Sequence, residues 1–282
     1  MRVVTAKSAG FCFGVQRAVD EAIRLGEESA DRVFTYGPLI HNDSVIRELE
    51  GRGIHSIDPD EAENESDVAS TIIIRAHGVG KRVYEELDRR FKTVADATCP
   101  FVKKIHRIVA EHSAAGETII ITGAADHPEV IGIRGWIEGA SYVVSDEAEA
   151  EKLNIPLDEH LCIVSQTTYH YNKFQDIVEI IKQKGYNISA YNTICNATEE
   201  RQTEAARIAG EVDAMLVLGG ENSSNSKKLF EICRNLCPNT YFLQDSDDLD
   251  LSNLQSCDSI GITAGASTPK YIIEEVYKKC QK

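Results

Sequence analysis

Lys92-Thr-Val-Ala-Asp-Ala-Thr-Cys-Pro100, with the apolar residues Val102, Ile105, Ile108 and Val109 behind it, decides how this chain folds. A short β-type run ends in a polar turn that carries a cysteine, and the cysteine stands just before an amphipathic helix. The same order recurs at Arg2-Val-Val-Thr5 before Cys12, followed by Val15, Ala18, Val19, Ala22 and Ile23 at helical spacing. It recurs again at Ile188-Ser-Ala-Tyr191 before Cys195, where the helix is more polar and keeps Ala205, Ile208 and Ala209 as its apolar positions.

Three further runs complete each set. The second is Val33-Phe-Thr-Tyr36, Thr118-Ile-Ile-Ile-Thr122 and Ala214-Met-Leu-Val-Leu218. The third is Ile54-His-Ser-Ile57, Ser141-Tyr-Val-Val144 and Thr240-Tyr-Phe-Leu243. The fourth is Thr71-Ile-Ile-Ile74, Leu161-Cys-Ile-Val164 and Ser259-Ile-Gly-Ile-Thr263. Cys12 to His41, Cys99 to His127 and Cys195 to Ser224 are separated by 29, 28 and 29 residues, and the next loops follow at His77, Thr167 and Ser267. Such a period marks internal repetition. The expected fold class is therefore α/β, with three pseudo-repeated units over 1–97, 98–193 and 194–282. Each is a small parallel sheet flanked by helices, and the units are arranged around a central cavity. In such sheets ligands bind outside the carboxyl ends of the strands. Closure about a pseudo-threefold axis would turn nine loops, and the three cysteines, toward one centre.

Composition narrows the function. The chain has 282 residues, 42% of them apolar, and 30 basic against 45 acidic residues give a net charge of −15. No basic footprint for nucleic acid or an anionic membrane exists in that balance, so neither nucleic-acid binding nor membrane insertion is expected. An anionic substrate would have to be held by local donors. The aliphatic runs are strand-sized, far short of the ~20 residues of a membrane helix. Met1-Arg-Val-Val-Thr-Ala-Lys7 lacks the apolar stretch of a signal peptide. A cytoplasmic protein is expected.

Eight cysteines stand at 12, 99, 162, 195, 233, 237, 257 and 280, with no CxxC pair. A reducing compartment argues against a disulfide framework. Cys233 and Cys237 share a helical face and read as core packing. Cys12, Cys99 and Cys195 each precede a helix, whose N-terminus favours a thiolate. Three converging thiolates suit an iron–sulfur cluster, or a zinc ion that takes a further ligand. Three small core residues at equivalent sites are the remaining alternative.

The other loops carry anion-binding groups. His41-Asn-Asp-Ser44 precedes a helix over 45–50, Arg75-Ala-His-Gly-Val79 one over 81–90, Gly219-Gly-Glu-Asn-Ser-Ser-Asn-Ser226 one over 227–236, and Gly265-Ala-Ser-Thr-Pro269 one over 271–279. Asp126-His-Pro-Glu-Val130 puts Pro128 at a first helical position. Helix N-termini with hydroxyls and amides bind phosphate, although Ser, Asn and Asp are also ordinary caps. Glu129 lies in the first turn of its helix. A carboxyl beside an anionic ligand holds its proton more tightly and can deliver it. Thr167, in Ser165-Gln-Thr-Thr168, offers a hydroxyl to relay that proton or bind a substrate hydroxyl; a capping Glu and a local turn would explain both residues equally well.

Taken together, Ala9-Gly-Phe-Cys-Phe-Gly-Val15, Tyr36-Gly-Pro-Leu-Ile-His-Asn42, Arg75-Ala-His-Gly-Val79, Asp96-Ala-Thr-Cys-Pro100, His127-Pro-Glu-Val130, Gln166-Thr-Thr168, Ile194-Cys-Asn-Ala-Thr-Glu-Glu-Arg-Gln202, Asn222-Ser-Ser-Asn-Ser226 and Thr263-Ala-Gly-Ala-Ser267 resemble the 4-hydroxy-3-methylbut-2-enyl diphosphate reductase (LytB) family. The resemblance spans essentially the whole chain, in order; Ser165 stands where the family also has Thr. It implies an oxidoreductase of isoprene biosynthesis, the last step of the non-mevalonate pathway. Two electrons and two protons remove the C4 hydroxyl as water and give isopentenyl and dimethylallyl diphosphate. It further implies that Cys12, Cys99 and Cys195 ligate a [4Fe–4S] cluster with one iron not ligated by cysteine. His41, His77, His127, Ser223, Ser224, Asn225 and Ser267 would hold the diphosphate, Glu129 would supply a proton and Thr167 would position the hydroxyl. No GxGxxG or Walker loop is present, so the electrons are expected from a separate protein such as a ferredoxin or flavodoxin.

Overall fold

The structure is a computed structural model and describes residues 1–58 and 70–281. The runs named above form strands: β1 (Arg2–Thr5), β2 (Val33–Tyr36), β3 (Ile54–Ile57), β4 (Thr71–Ile74), β5 (Thr93–Asp96), β6 (Thr118–Thr122), β7 (Ser141–Val144), β8 (His160–Ser165), β9 (Asn187–Ala190), β10 (Ala214–Leu218), β11 (Thr240–Leu243) and β12 (Ser259–Ala264). They make three parallel four-stranded sheets, ordered β3-β2-β4-β5, β7-β6-β8-β9 and β11-β10-β12-β1. Helices between the strands complete the α/β fold. Ile72, Ile73 and Ile74, like Ile119, Ile120 and Ile121, are all buried. Consecutive buried β-branched residues mean a sheet covered on both faces, and each such side chain contributes about 1.5–3 kcal/mol.

The three sheets share one topology, and its detail corrects the expected membership of the first unit. The run leading to each cysteine pairs with the fourth strand of the preceding set: β5 with β4, β9 with β8. No set precedes β1. It closes the third sheet instead, in register Arg2↔Ser259 to Thr5↔Ile262. The edge of β12 would otherwise expose unpaired backbone groups.

Two compact units result. One comprises Met1–Gln16, Ile40–Glu48 and Asn196–Lys282; the other comprises Arg17–Leu39 and Leu49–Cys195. The first contains the third sheet, the second the other two. Within the second unit, close approach of Gly80 and Gly135 joins the two lobes: a Cβ on Gly135 would lie 2.4 Å from the Gly80 Cα. The Lys81 N–H donates to the Gly135 carbonyl at 3.2 Å, and the Trp136 indole donates to the Val79 carbonyl at 2.8 Å.

Strand order reverses between the second and fourth strand of each set, at β2/β4, β6/β8 and β10/β12. The crevice beyond the carboxyl ends at such a point is where α/β sheets bind ligands. The loops that leave these strands carry His41 and His77, then His127, Glu129 and Thr167, then Ser223 to Asn225 and Ser267.

Candidate functional site

Each cysteine sits where the chain turns from strand into helix. Cys12, Cys99 and Cys195 immediately precede the helices Phe13–Glu28, Pro100–Ala114 and Asn196–Ala209. One backbone bond repeats three times. The N–H of Cys12 donates to the Ala266 carbonyl at 3.2 Å, that of Cys99 to Ala76 at 3.0 Å, and that of Cys195 to Thr167 at 3.0 Å. Every cysteine is thereby tied to the loop after the neighbouring fourth-type strand, one residue or none from Ser267, His77 or Thr167.

Exposure separates the cysteines further. Cys12, Cys99 and Cys195 are half-buried, and the other five are buried. Burial pushes the Cys162 and Cys233 thiols up to about 12 and also raises Cys257 and Cys280. Cys233, Cys237, Cys257 and Cys280 behave as small apolar residues. Cys237 caps the helix Ser224–Leu236 and does not extend it, its N–H reaching the Cys233 carbonyl at 2.8 Å.

In the two-sheet unit, the helix Pro128–Arg134 is capped by His127, whose Nδ1 accepts from the Glu129 N–H at 3.1 Å. With Nδ1 accepting, a neutral ring carries its proton on Nε2, the tautomer that can donate to a ligand. The His77 ring stands edge-on to it, centroids 5.4 Å apart. The Gly80–Gly135 junction brings these two loops together. Glu129 is 2% exposed. Thr167 engages both of its carboxyl oxygens: the backbone N–H donates to Oε1 at 2.6 Å and the hydroxyl to Oε2 at 2.7 Å. Beneath them lie buried hydroxyls. The Ser165 N–H donates to Thr193 Oγ1 at 2.7 Å, and the Thr122 hydroxyl donates to Ser165 Oγ at 2.8 Å.

In the other unit, Ser223 caps the helix Ser224–Leu236, accepting from the Ser226 N–H at 3.3 Å. Gly219 and Gly265 are needed here, since a Cβ on either would lie 2.1 or 2.0 Å from Ser226 Oγ. Without side chains they let both loops close over the helix start. Asn225 is 4% exposed, and neither Nδ2 nor Oδ1 has a hydrogen-bond partner among the described residues. Two unmet buried polar atoms cost about 1–3 kcal/mol each, a penalty that a polar ligand removes. Ser267 donates its hydroxyl to the His41 carbonyl at 3.1 Å. Asn42, next to His41, accepts from the Ser44 and Val45 N–H groups at 3.1 and 3.2 Å and so starts the helix Asp43–Gly51.

Two arginines escaped the sequence reading. Arg201 is buried and donates to the Ser8 carbonyl at 2.8 Å, Gly10 at 2.7 Å and Ala197 at 3.1 Å. Glu204, one turn on, accepts from the Lys7 N–H at 3.0 Å and the Ser8 N–H at 2.8 Å. Together they fix the loop that presents Cys12. Arg17 donates to the Thr98 carbonyl, adjacent to Cys99, at 2.6 Å. Arg201 lies inside the quoted stretch ending at Gln202, but its long-range partners leave no local signal.

No helix among the described residues is long and apolar enough to cross a membrane. The sequence matches the LytB protein family over residues 3–281. It is 44% identical over 280 residues to the 4-hydroxy-3-methylbut-2-enyl diphosphate reductase of Caldanaerobacter subterraneus subsp. tengcongensis, covering 99% of this chain and 96% of that one. Among solved structures, the fold resembles an (E)-4-hydroxy-3-methyl-but-2-enyl diphosphate reductase described as the terminal enzyme of the non-mevalonate pathway. The TM-score is 0.72 at 37% identity, over 100% of this chain and 99% of that one. It also resembles the E-1-hydroxy-2-methyl-but-2-enyl-4-diphosphate reductase of Plasmodium falciparum, with a TM-score of 0.91 at 29% identity, over 100% and 88% of the two chains.

Proposed function

The chain belongs to the LytB family, and we propose that it reduces 4-hydroxy-3-methylbut-2-enyl diphosphate to isopentenyl and dimethylallyl diphosphate, the last step of the non-mevalonate isoprenoid route. The observation that carries this reading is the sorting of the cysteines. Three are half-buried at equivalent helix starts, tied by one repeated backbone bond, while five are buried. Soft thiolate donors at three repeated positions fit an iron–sulfur cluster, which the family implies.

Cys12, Cys99 and Cys195 would hold a [4Fe–4S] cluster, one from each of the three repeated strand-to-helix turns. Three thiolates leave one iron without a cysteine. When bound, the cluster would pass on, one at a time, the two electrons of the external donor and would offer a Lewis-acidic iron to the substrate hydroxyl. The remaining work falls to the chain. His41, His77, His127, Ser223, Ser224, Asn225 and Ser267 bind the diphosphate through N–H, hydroxyl and amide donors, for which charge-assisted bonds are the stronger kind. Such local donors suit a protein of net charge −15. The unpartnered amide of Asn225 supports this assignment.

Glu129 is the proton source. Its Oε2 lies 2.7 Å from Thr167 Oγ1. A protonated Glu129 donates to that oxygen while the hydroxyl turns its own hydrogen to the substrate, so one proton moves without either side chain leaving its place. The Thr167 carbonyl accepts from the Cys195 N–H, which keeps the relay next to a cluster ligand. Electrons come from a separate ferredoxin or flavodoxin, and the protein works in the cytoplasm.

An anaerobic assay tests the proposal. Protein purified without oxygen is mixed with the diphosphate and a dithionite-reduced viologen, and the two isomeric products are distinguished by proton NMR. Dye oxidation with formation of the two five-carbon diphosphates is expected; iron-bearing protein that leaves the substrate intact contradicts it.

A further inference from the structure

A second cluster of metal-ligating side chains lies in the two-sheet unit, away from the loops described above. His112, Glu117 and Cys162 each offer one donor atom, and the three atoms lie within 4.8 Å of one another. His112 Nδ1 is 2.7 Å from Glu117 Oε2, and His160 Nδ1 is 3.7 Å from Glu117 Oε1. We propose that His112, Glu117 and Cys162 form a zinc site, with His160 or a water molecule as the fourth ligand.

The fold explains why these residues meet. His112 is in the last turn of the helix Pro100–Ala114 and continues its buried face, three and four residues beyond Val109 and Ile108. That face packs on Ile119, Ile121, Cys162 and Val164. Along β8, His160 and Cys162 are two residues apart and so point to the same side. Glu117 stands just before β6, whose Ile119 pairs in register with Cys162. The cluster therefore sits at the amino ends of β6 and β8, whereas Glu129 and Thr167 follow their carboxyl ends.

The chemistry is suited to a borderline divalent cation. Imidazole, carboxylate and thiolate are the ordinary zinc donors. One carboxylate and one thiolate neutralise a doubly charged ion, so a partly buried site ends without net charge. The position at a helix C-terminus favours a cation as well. Binding would release the Cys162 proton and replace the direct contact between His112 Nδ1 and Glu117 Oε2. Side-chain exposures of 21% for His112 and 16% for Glu117 leave a path for entry, although Cys162 itself is buried.

The test uses the anaerobic holoprotein, freed of loose metal with EDTA and then titrated with zinc chloride. After gel filtration, one zinc per chain is expected. Zinc K-edge absorption, which ignores iron, should show one sulfur at about 2.3 Å and nitrogen or oxygen at about 2.0–2.1 Å. Cys162→Ser should remove the sulfur signal. His112→Gln, at a less buried position that folds more safely, should weaken binding by at least ~10-fold. Iron content should stay constant in both. Zinc bound only by nitrogen and oxygen, zinc surrounded by three sulfurs, or retention unchanged in both variants would overturn the proposal.

Discussion

Thr167 grips the Glu129 carboxyl group at both ends, its N–H on Oε1 at 2.6 Å and its hydroxyl on Oε2 at 2.7 Å. The carboxyl belongs to the first turn after His127 and the threonine to the loop after β8, so strand and helix ends fix their distance. In the proposed reaction a carboxyl held this way needs only a turn of the Thr167 hydroxyl to deliver its proton.

Replacing the donor while keeping the shape isolates its role. Glu129→Gln is expected to lower the rate of product formation by ~10²–10⁴-fold with full iron and sulfide content. Thr167→Ala should lower it as well, and Thr167→Ser, which restores the hydroxyl, should recover most of the rate. Rapid turnover by Glu129→Gln would remove Glu129 from proton delivery and leave it a helix-start residue.

Serine replacements should divide the cysteines in two. Cys12→Ser, Cys99→Ser and Cys195→Ser are each expected to abolish the visible chromophore. Serine at 162, 233, 237, 257 or 280 buries a hydroxyl and should cost about 1–3 kcal/mol of stability, with the chromophore kept. Loss of colour in Cys257→Ser and its retention in Cys195→Ser would refute the ligand assignment.

The loop leading to Cys12 hangs on Arg201, which serves three carbonyls from a buried position. Hydrogen bonds from a charged donor contribute about 1.5–3 kcal/mol each. Arg201→Gln is expected to lower the urea midpoint and to speed iron loss in air several-fold, with Arg201→Lys intermediate. Unchanged iron loss would mean that Ser8 and Gly10 hold their places without the guanidinium.

His106 provides a pH-dependent prediction. It is buried, stacks on Trp136 with centroids 5.3 Å apart, and its Nε2 has no hydrogen-bond partner among the described residues. Burial lowers its pKa to about 4, against the opposing charge of Asp96 and with help from Lys103. A folded value below the unfolded 6.5 makes the unfolded state the better proton binder. The stabilisation is therefore complete above pH ~6.5 and is lost as pH falls toward ~4, on the order of 3 kcal/mol. Urea titrations of wild type and His106→Phe should converge in slope above that window and diverge within it; parallel curves throughout would contradict a buried neutral imidazole.

Much of this was legible in the sequence because the informative signals were local. Each run of β-branched residues is contiguous, and each cysteine follows its run within about seven residues and directly precedes a helical pattern. Glu129 and Thr167 were marked by their loops. What stayed hidden depends on contacts distant in sequence. Nothing near Arg2 announces that its strand pairs with Ser259. Arg201 reads as one more polar helix residue until Ser8 and Gly10 are found beneath it. His112, Glu117 and Cys162 lie on a helix end, a turn and an apolar strand, and each looks ordinary alone.

Mössbauer spectroscopy of ⁵⁷Fe-enriched, anaerobically purified protein, recorded with and without the diphosphate substrate, tests the cofactor assignment most directly. A cluster held by Cys12, Cys99 and Cys195 should give four irons per chain, of which one alone changes its isomer shift when substrate is added. Iron-free protein, or four irons that all ignore the substrate, would contradict it.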